Sequence, residues 1–384
     1  MTIRQSFWLA ISLVQFSAAI FAASAQDASP VVTGYVFAPG QLLQPGQIQV
    51  QGISRLNYAF ARIRNGRMVE GSPNDAANLA QLDALRGQHA GVAVLVSVGG
   101  WAWSDGFSDA ALTKQSRAVF IDSAIAFLHR YDLDGLDVDW EYPGQAGAGH
   151  TFRPKDKQNF TLLLKELRAR LDKESKQMHR RLFLTIAAGA TSEYLEHTEM
   201  AQVQKWVDAV NLMTYDYYSP ESDAIAGNHA PLLEDPVDPR HVSADASVQA
   251  FENAGVPARK ILLGIPFYGH LWGDVADRAH GLFQPARPAA SRDIPYSAIP
   301  AWREQGFTRY WDSASQVPYL YNASEHQFVS YEDVESAAAK ARYAKAKGLQ
   351  GVMFWSELND PSGELLRCID QAIHEDTTRS TPSE

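Results

Sequence analysis

Eight short runs rich in apolar and β-branched residues recur between residues 31 and 357, with helical patterns between them. The runs are VVTGYVF (31–37), ISRLNYAFA (53–61), VAVLVSVGG (92–100), LDGLDVDW (133–140), LFLTIAAGA (182–190), AVNLMTYDY (209–217), ILLGIPFYG (261–269) and GVMFWSE (351–357). Phe120, Ile121, Ala124, Ile125 and Leu128 repeat at helical spacing, as do Phe160, Leu163, Leu164, Leu167 and Leu171. Nearly continuous apolar strands alternating with amphipathic helices require a parallel sheet covered by helices. Eight such units in one chain predict an α/β fold, a (β/α)8 TIM barrel. A doubly wound open sheet is the competing architecture, but no Gly-rich phosphate loop follows any run.

One interval is too long for a single crossover. About 80 residues separate the seventh run from the eighth, where one helix and two loops need far fewer. The interval holds HGLFQPARPAASRDIPYSAIPAW and then β-like TRYWDSASQVPYLYN and HQFVSY. We read residues 270–330 as a small α+β insertion between strands 7 and 8 that walls one side of a cleft. The expected organisation is an export leader at 1–25, a catalytic barrel with its insertion at 26–375, and a flexible tail at 376–384.

The leader reading rests on Arg4, the apolar run from Phe7 to Ala22 and the small residues Ala23-Ser24-Ala25. It predicts a secreted or periplasmic protein cleaved near Ala25. The formal charge is −10 over the whole chain, which argues against nucleic acid or an anionic membrane as partner. Cys368 is the single cysteine, so an internal disulfide is excluded, and no Cys/His spacing of a structural zinc site is present. The chain is expected to act as a monomer without metal or cofactor.

The fourth run raises a chemical question. In LDGLDVDWEYPG the acids Asp137, Asp139 and Glu141 alternate with Leu136, Val138 and Trp140. Period-two alternation places the acids on one face and the apolar residues on the other. With the apolar set packed on helices, the acids point into the barrel, and Glu141 stands at the C-terminal mouth where barrel enzymes hold their chemistry. Three confined carboxyls titrate as a coupled set and retain protons near neutrality. A protonated carboxyl at a pocket mouth is what a general acid requires. A calcium loop is disfavoured by the apolar residues between the acids and the lack of a turn-forming glycine.

The same stretch carries a resemblance. DGLDVDWE is similar to the Asp-x-x-Asp-x-Asp-x-Glu signature of glycoside hydrolase family 18, the chitinases. SVGGW (97–101), NLMTYDYY (211–218), GIPFYG (264–269) and GVMFWSELND (351–360) resemble the motifs of the third, sixth, seventh and eighth strands. The resemblance covers residues 31–375. It implies a chitinase that hydrolyses β-1,4-linked N-acetylglucosamine chains. Glu141 would be the acid, Asp139 the partner of the substrate acetamido N–H, Asp137 the residue sharing its proton, and Tyr215 the group orienting the acetamido oxygen. It further implies a substrate-binding set of Tyr35, Phe60, Gly99, Gly100, Trp101, Tyr142, Met213, Asp216, Tyr268 and Trp355. Trp355 would be the floor and Trp101 a platform on the leaving-group side, with Trp103, Trp272 and Trp302 as further aromatic candidates.

The three acids share a strand, so none of them can flank the sugar from the opposite side as a conventional nucleophile must. The family's answer is attack by the substrate's own 2-acetamido oxygen. Asp216 is the candidate nucleophile for a two-carboxylate mechanism. A chitin-binding lectin without catalysis, or a hydrolase of peptidoglycan or N-glycans, are the alternatives. One position departs from the family pattern: His270 follows GIPFYG where an arginine is usual.

Overall fold

The computed structural model describes residues 29–287 and 293–375. The leader read at 1–25 and the tail read at 376–384 lie outside the described residues. Fourteen strands are found among the described residues: β1 Val31–Phe37, β2 Arg55–Arg64, β3 Arg67–Glu70, β4 Ala93–Gly99, β5 Gly135–Asp139, β6 Phe183–Gly189, β7 Ala209–Met213, β8 Ile261–Pro266, β9 Tyr268–Trp272, β10 Asp293–Pro295, β11 Thr308–Asp312, β12 Val317–Asn322, β13 Gln327–Ser330 and β14 Gly351–Trp355.

Eight of these pair in parallel and close on themselves. The circuit runs β1, β2, β4, β5, β6, β7, β8, β14 and back to β1. This is the (β/α)8 barrel predicted by the alternating runs. β3 adds an antiparallel hairpin onto β2.

The helices form where the apolar spacing placed them. The helix Lys114–Arg130 opens on a Thr113/Ser116 capping box and buries Phe120, Ile121, Ala124, Ile125 and Leu128. The helix Asp156–Met178 buries Phe160, Leu163, Leu164, Leu167 and Leu171. Both faces meet Leu136, Val138 and Trp140 of the fourth barrel unit in one apolar cluster, where Trp140 stacks on Phe107 at 5.1 Å. Each large side chain buried there contributes about 1.5–3 kcal/mol. That packing commits one face of β5 to the helices and turns Asp137 and Asp139 inward.

Two strand ends differ from the sequence reading. The sixth run continues to Tyr217 in sequence, but β7 stops at Met213, and Asp216 takes a left-handed φ of 60°, a conformation aspartate tolerates better than most residues. The seventh run reads as one strand to Gly269, yet the barrel strand ends at Pro266 and β9 begins at Tyr268. Phe267 turns the chain, its ring stacked on Phe354 at 4.3 Å and its amide donating to the Trp355 carbonyl at 2.6 Å.

β9 through β13 form a separate antiparallel sheet ordered β10-β9-β13-β12-β11. Its core is aromatic: Trp272 is fully buried against Phe328, and Tyr319 stacks on Phe328 at 5.2 Å. Trp302 packs edge-on to Phe307 beneath the same sheet. Trp272 is therefore a packing residue, and Trp302 is half-buried against the same sheet.

Candidate active site

Asp137 lies at the bottom of the ladder and is completely buried. Four donors surround its carboxylate. Tyr35 Oη donates to Oδ2 at 2.8 Å, Ser97 Oγ to Oδ2 at 2.7 Å, Thr185 Oγ1 to Oδ1 at 2.5 Å and Asn211 Nδ2 to Oδ1 at 3.0 Å. They come from β1, β4, β6 and β7, so the acid ties together the strands around it. Burial pushes its pKa up, and these hydrogen bonds oppose the shift. Occupying both oxygens as acceptors, the four hydrogen bonds favour the ionised form of Asp137 against its burial.

Asp139 is one rung higher and differently placed. Its Oδ1 is buried without a hydrogen-bond partner among the described residues. Burial, then the charges of Glu141 and Asp137, drive its pKa well above the carboxylate range. Its interaction with Glu141 favours the protonated form of Asp139 and the ionised form of Glu141. The sequence reading has Asp137 share the proton of Asp139; both Glu141 and Asp137 act on the Asp139 carboxyl, Glu141 more strongly.

Glu141 stands just beyond β5, in the connection that follows the strand. Its carboxyl is pushed up to about 7, chiefly by burial and further by the nearby Asp216 charge. Hydrogen bonds from Tyr142, Asp139 and the Trp101 backbone pull the other way. The Glu141 amide donates to Ser104 Oγ at 2.9 Å, and that hydroxyl faces the carbonyls of Gly100 at 3.0 Å and Asp139 at 3.1 Å. Gly99 and Gly100 make this junction possible. A Cβ on Gly99 would lie 2.1 Å from the Asp139 carbonyl oxygen, and one on Gly100 would strike the Phe60 ring at 2.6 Å.

The aromatic candidates divide into two groups. Trp355 sits in a nest, with ring centroids 5.6 Å from Tyr35, 5.1 Å from Phe37 and 5.5 Å from Phe60, the last stacked. Met213 and Tyr215 join the same inward-facing cluster, and Trp103 packs edge-on to Phe60. Across the mouth, Trp101 is 53% exposed and lies 6.4 Å from Tyr142. Tyr215 is edge-on to Tyr268 at 6.1 Å, and burial followed by the surrounding carboxylates raises its hydroxyl pKa well above normal. Sugars offer apolar CH faces, so a half-buried indole floor with an exposed indole beyond it suits a chain of them.

Asp216, whose charge acts on Glu141, anchors a second cluster. Its Oδ1 accepts from Tyr268 Oη at 2.7 Å and pairs with His270 Nε2 at 2.8 Å, while His229 Nδ1 lies 3.6 Å away. Although the side chain is about half exposed, the surrounding protein partly desolvates it, which would raise its pKa; the two histidines hold it far below the carboxylate range. His270, despite a burial effect in the other direction, is raised by Asp216. Burial lowers His229 to about 4, so it is the neutral member. His270 thus supplies a cationic partner at the position where the family usually has arginine.

Sequence reasoning missed Ser97, Ser104, Thr185, Asn211, Phe37 and His229. Ser97, Asn211 and Phe37 lie inside the quoted strand runs, where inward parity marks them. Thr185 is one of several small residues in its run, and His229 sits in a loop without a signal.

Three comparisons bear on this arrangement. Chitinase A1 of Niallia circulans is 41% identical over 309 residues, which are 76% of this chain and 44% of that protein; the chain therefore spans less than half the length of that relative. Chitinase 1 of Aphanocladium album is 31% identical over 82% of this chain and 78% of its own. The structure of a glycoside hydrolase family 18 N-acetylglucosaminidase from Paenibacillus barengoltzii superposes with a TM-score of 0.83 at 38% identity, covering 90% of this chain and all of that one. With its closed barrel, its acidic ladder on the fourth barrel strand, and a match to the glycosyl hydrolases family 18 model over residues 31–360, the chain belongs to glycosyl hydrolase family 18.

Proposed function

We propose that this protein is a secreted chitinase that cleaves β-1,4-linked N-acetylglucosamine chains with Glu141 as general acid. The observation that carries the reading is the Glu141 carboxyl, held near pH 7 at the barrel mouth and hydrogen-bonded to a protonated Asp139. Glu141 gives its proton to the glycosidic oxygen as the bond to the anomeric carbon breaks. The substrate's acetamido oxygen attacks that carbon and forms an oxazolinium ion. Asp139, turned from Glu141 toward the acetamido N–H, accepts a hydrogen bond from it, the carboxylate left on Glu141 balances the positive charge, and Tyr215 orients the acetamido oxygen. Water then opens the oxazolinium while the Glu141 carboxylate takes its proton, so the configuration is retained. Asp137 stays ionised below and keeps the proton on Asp139. Export on the leader read at residues 1–25 belongs to this proposal.

Turnover of chitin oligomers by wild type and Glu141→Gln tests the acid, with an expected fall of about 10²–10⁴-fold. Fully deacetylated oligomers test the acetamido group: no cleavage is expected, and equal cleavage of both substrates would overturn substrate assistance. The full-length overlap with an N-acetylglucosaminidase favours a second reading in which single sugars are released from chain ends. Product analysis separates the two, since accumulation of monomer alone from long oligomers indicates end release.

A further inference from the structure

His229 presents a problem that the proposed reaction does not use. Its side chain is 0% exposed, and among the described residues neither ring nitrogen has a partner within hydrogen-bond distance, the nearest acceptor to Nδ1 being Asp216 Oδ1 at 3.6 Å. Its backbone is fixed, the amide donating to Ser330 Oγ of β13 at 2.9 Å. A buried donor and acceptor left unpaired cost about 1–3 kcal/mol, and such groups call for a physical reason.

The surroundings supply one. The His229 ring is edge-on to His270, with centroids 4.9 Å apart, and both face Asp216 Oδ1. Each of the three residues offers a ligand atom, and all three atoms lie within 4.8 Å of one another. Two imidazoles and a carboxylate are a donor set for borderline divalent ions such as Zn²⁺ or Cu²⁺, whereas Ca²⁺ and Mg²⁺ favour oxygen ligands. Metal–nitrogen and metal–oxygen bonds of about 2.0–2.2 Å place tetrahedral ligand atoms roughly 3.3 Å apart. The observed 2.8 Å from His270 and 3.6 Å from His229 to Asp216 bracket that value. Behind His270, Nδ1 lies 3.4 Å from Asp293 Oδ1 without a formed hydrogen bond between them, and a small shift would complete the carboxylate–histidine pair that orients metal ligands. The Asp216 side chain is 48% exposed, which opens a path from the cleft.

The geometry points to a divalent transition-metal site formed by Asp216, His229 and His270 in the wall of the cleft, at which Zn²⁺ or Cu²⁺ binds and blocks the cleft. His229 gains a ligand bond in place of its unpaired nitrogen, and the ion replaces the proton between His270 and Asp216. The bound ion occupies space beside Glu141 and withdraws Asp216 from any sugar. Metal binding itself is independent of the proposed reaction; only the block depends on it.

Calorimetric titration of the tag-free full chain with Zn²⁺ tests the site, with Ca²⁺ and Mg²⁺ as controls. One Zn²⁺ per chain is expected, bound at least tenfold more weakly by His270→Arg and by His229→Gln, with folding of each variant checked by circular dichroism. The Cu²⁺ electron paramagnetic resonance spectrum should show coupling to two nitrogens in wild type and to one in His270→Arg. Undiminished Zn²⁺ affinity in both variants, or no stoichiometric binding by wild type, would overturn the site. If oligomers are cleaved, Zn²⁺ should inhibit wild type reversibly with a chelator and leave His270→Arg uninhibited. Binding without inhibition would overturn the block alone.

Discussion

Asp137 and Asp139 are two residues apart on one strand and both buried, yet Asp137 accepts four hydrogen bonds and Asp139 Oδ1 accepts none. The neighbours, not the shared strand, make the two differ: hydrogen bonds favour the charged form of Asp137, whereas burial and nearby charges favour the protonated form of Asp139. Replacing Asp137 by Ala leaves Tyr35, Ser97, Thr185 and Asn211 without their common acceptor in a dry interior. We expect a loss of about 3 kcal/mol in urea unfolding. Asp137→Asn keeps the volume but sets an amide against the Asn211 amide; a smaller stability loss with a much larger loss of turnover is the expected result. Equal stability of Asp137→Ala and wild type would show that the four bonds carry no net energy.

Glu141 sets a pH limit on both activity and stability. The acid must be protonated to act, so kcat/KM should fall about tenfold per pH unit above about 7. The groups facing it are Asp139, Tyr142 and Asp216. Its folded pKa exceeds the unfolded value, so its contribution to stability is fully present below about pH 4.5 and is lost as pH rises through about 7. Glu141→Gln removes the burial of a charge and should therefore stabilise the fold at pH 8, by roughly 2 kcal/mol, while giving no gain at pH 4. Thermal unfolding of both proteins at the two pH values measures this, and a variant less stable than wild type at pH 8 would contradict it.

The two indoles of the cleft should respond differently to truncation. Trp355 is held by three aromatic rings, so Trp355→Ala loses packing as well as a platform, with an expected cost of about 3 kcal/mol in stability. Trp101 is half exposed, and Trp101→Ala should stay within about 0.5 kcal/mol of wild type. Its effect belongs in KM for longer oligomers, raised several-fold, with shorter ones little changed. Denaturation midpoints and oligomer-length kinetics separate the two roles.

The barrel was legible because its strands are buried on both faces and its helices on one, so residues such as Leu136 and Leu163 betray their period. The acid ladder was legible for the same reason, since parity fixes direction on a strand. Parity stops at strand ends, and there the reading failed. Pro266 and Phe267 redirect the seventh run, and Asp216 lies beyond the last rung of β7. The partners of Asp137 were hidden because sheet register joins β1, β4, β6 and β7 side by side, and a single strand's pattern holds no record of its neighbours. His229 was the least visible, since only the return of β13 brings its loop against His270.

Gly99 offers the sharpest test of how the backbone holds the site. It has φ of 109°, and an added Cβ would meet the Asp139 carbonyl oxygen at 2.1 Å and the Phe107 ring at 2.7 Å. Neither neighbour can retreat: the carbonyl accepts from the Gly100 amide at 2.8 Å, and Phe107 is stacked under Trp140. Gly99→Ala must therefore push β4 away from β5 at the level of Asp139, which disturbs the segment that carries Asp139 and Glu141. We expect a stability loss of about 3 kcal/mol or more, with turnover reduced further than the folded fraction accounts for. Gly40 is the control, because it too has positive φ, 69°, but an added Cβ meets nothing within 4 Å. Gly40→Ala carries the backbone penalty alone, about 1 kcal/mol. Equal losses in the two variants would mean that the close approach at Gly99 is relieved without cost, and that the Asp139–Glu141 geometry does not depend on it.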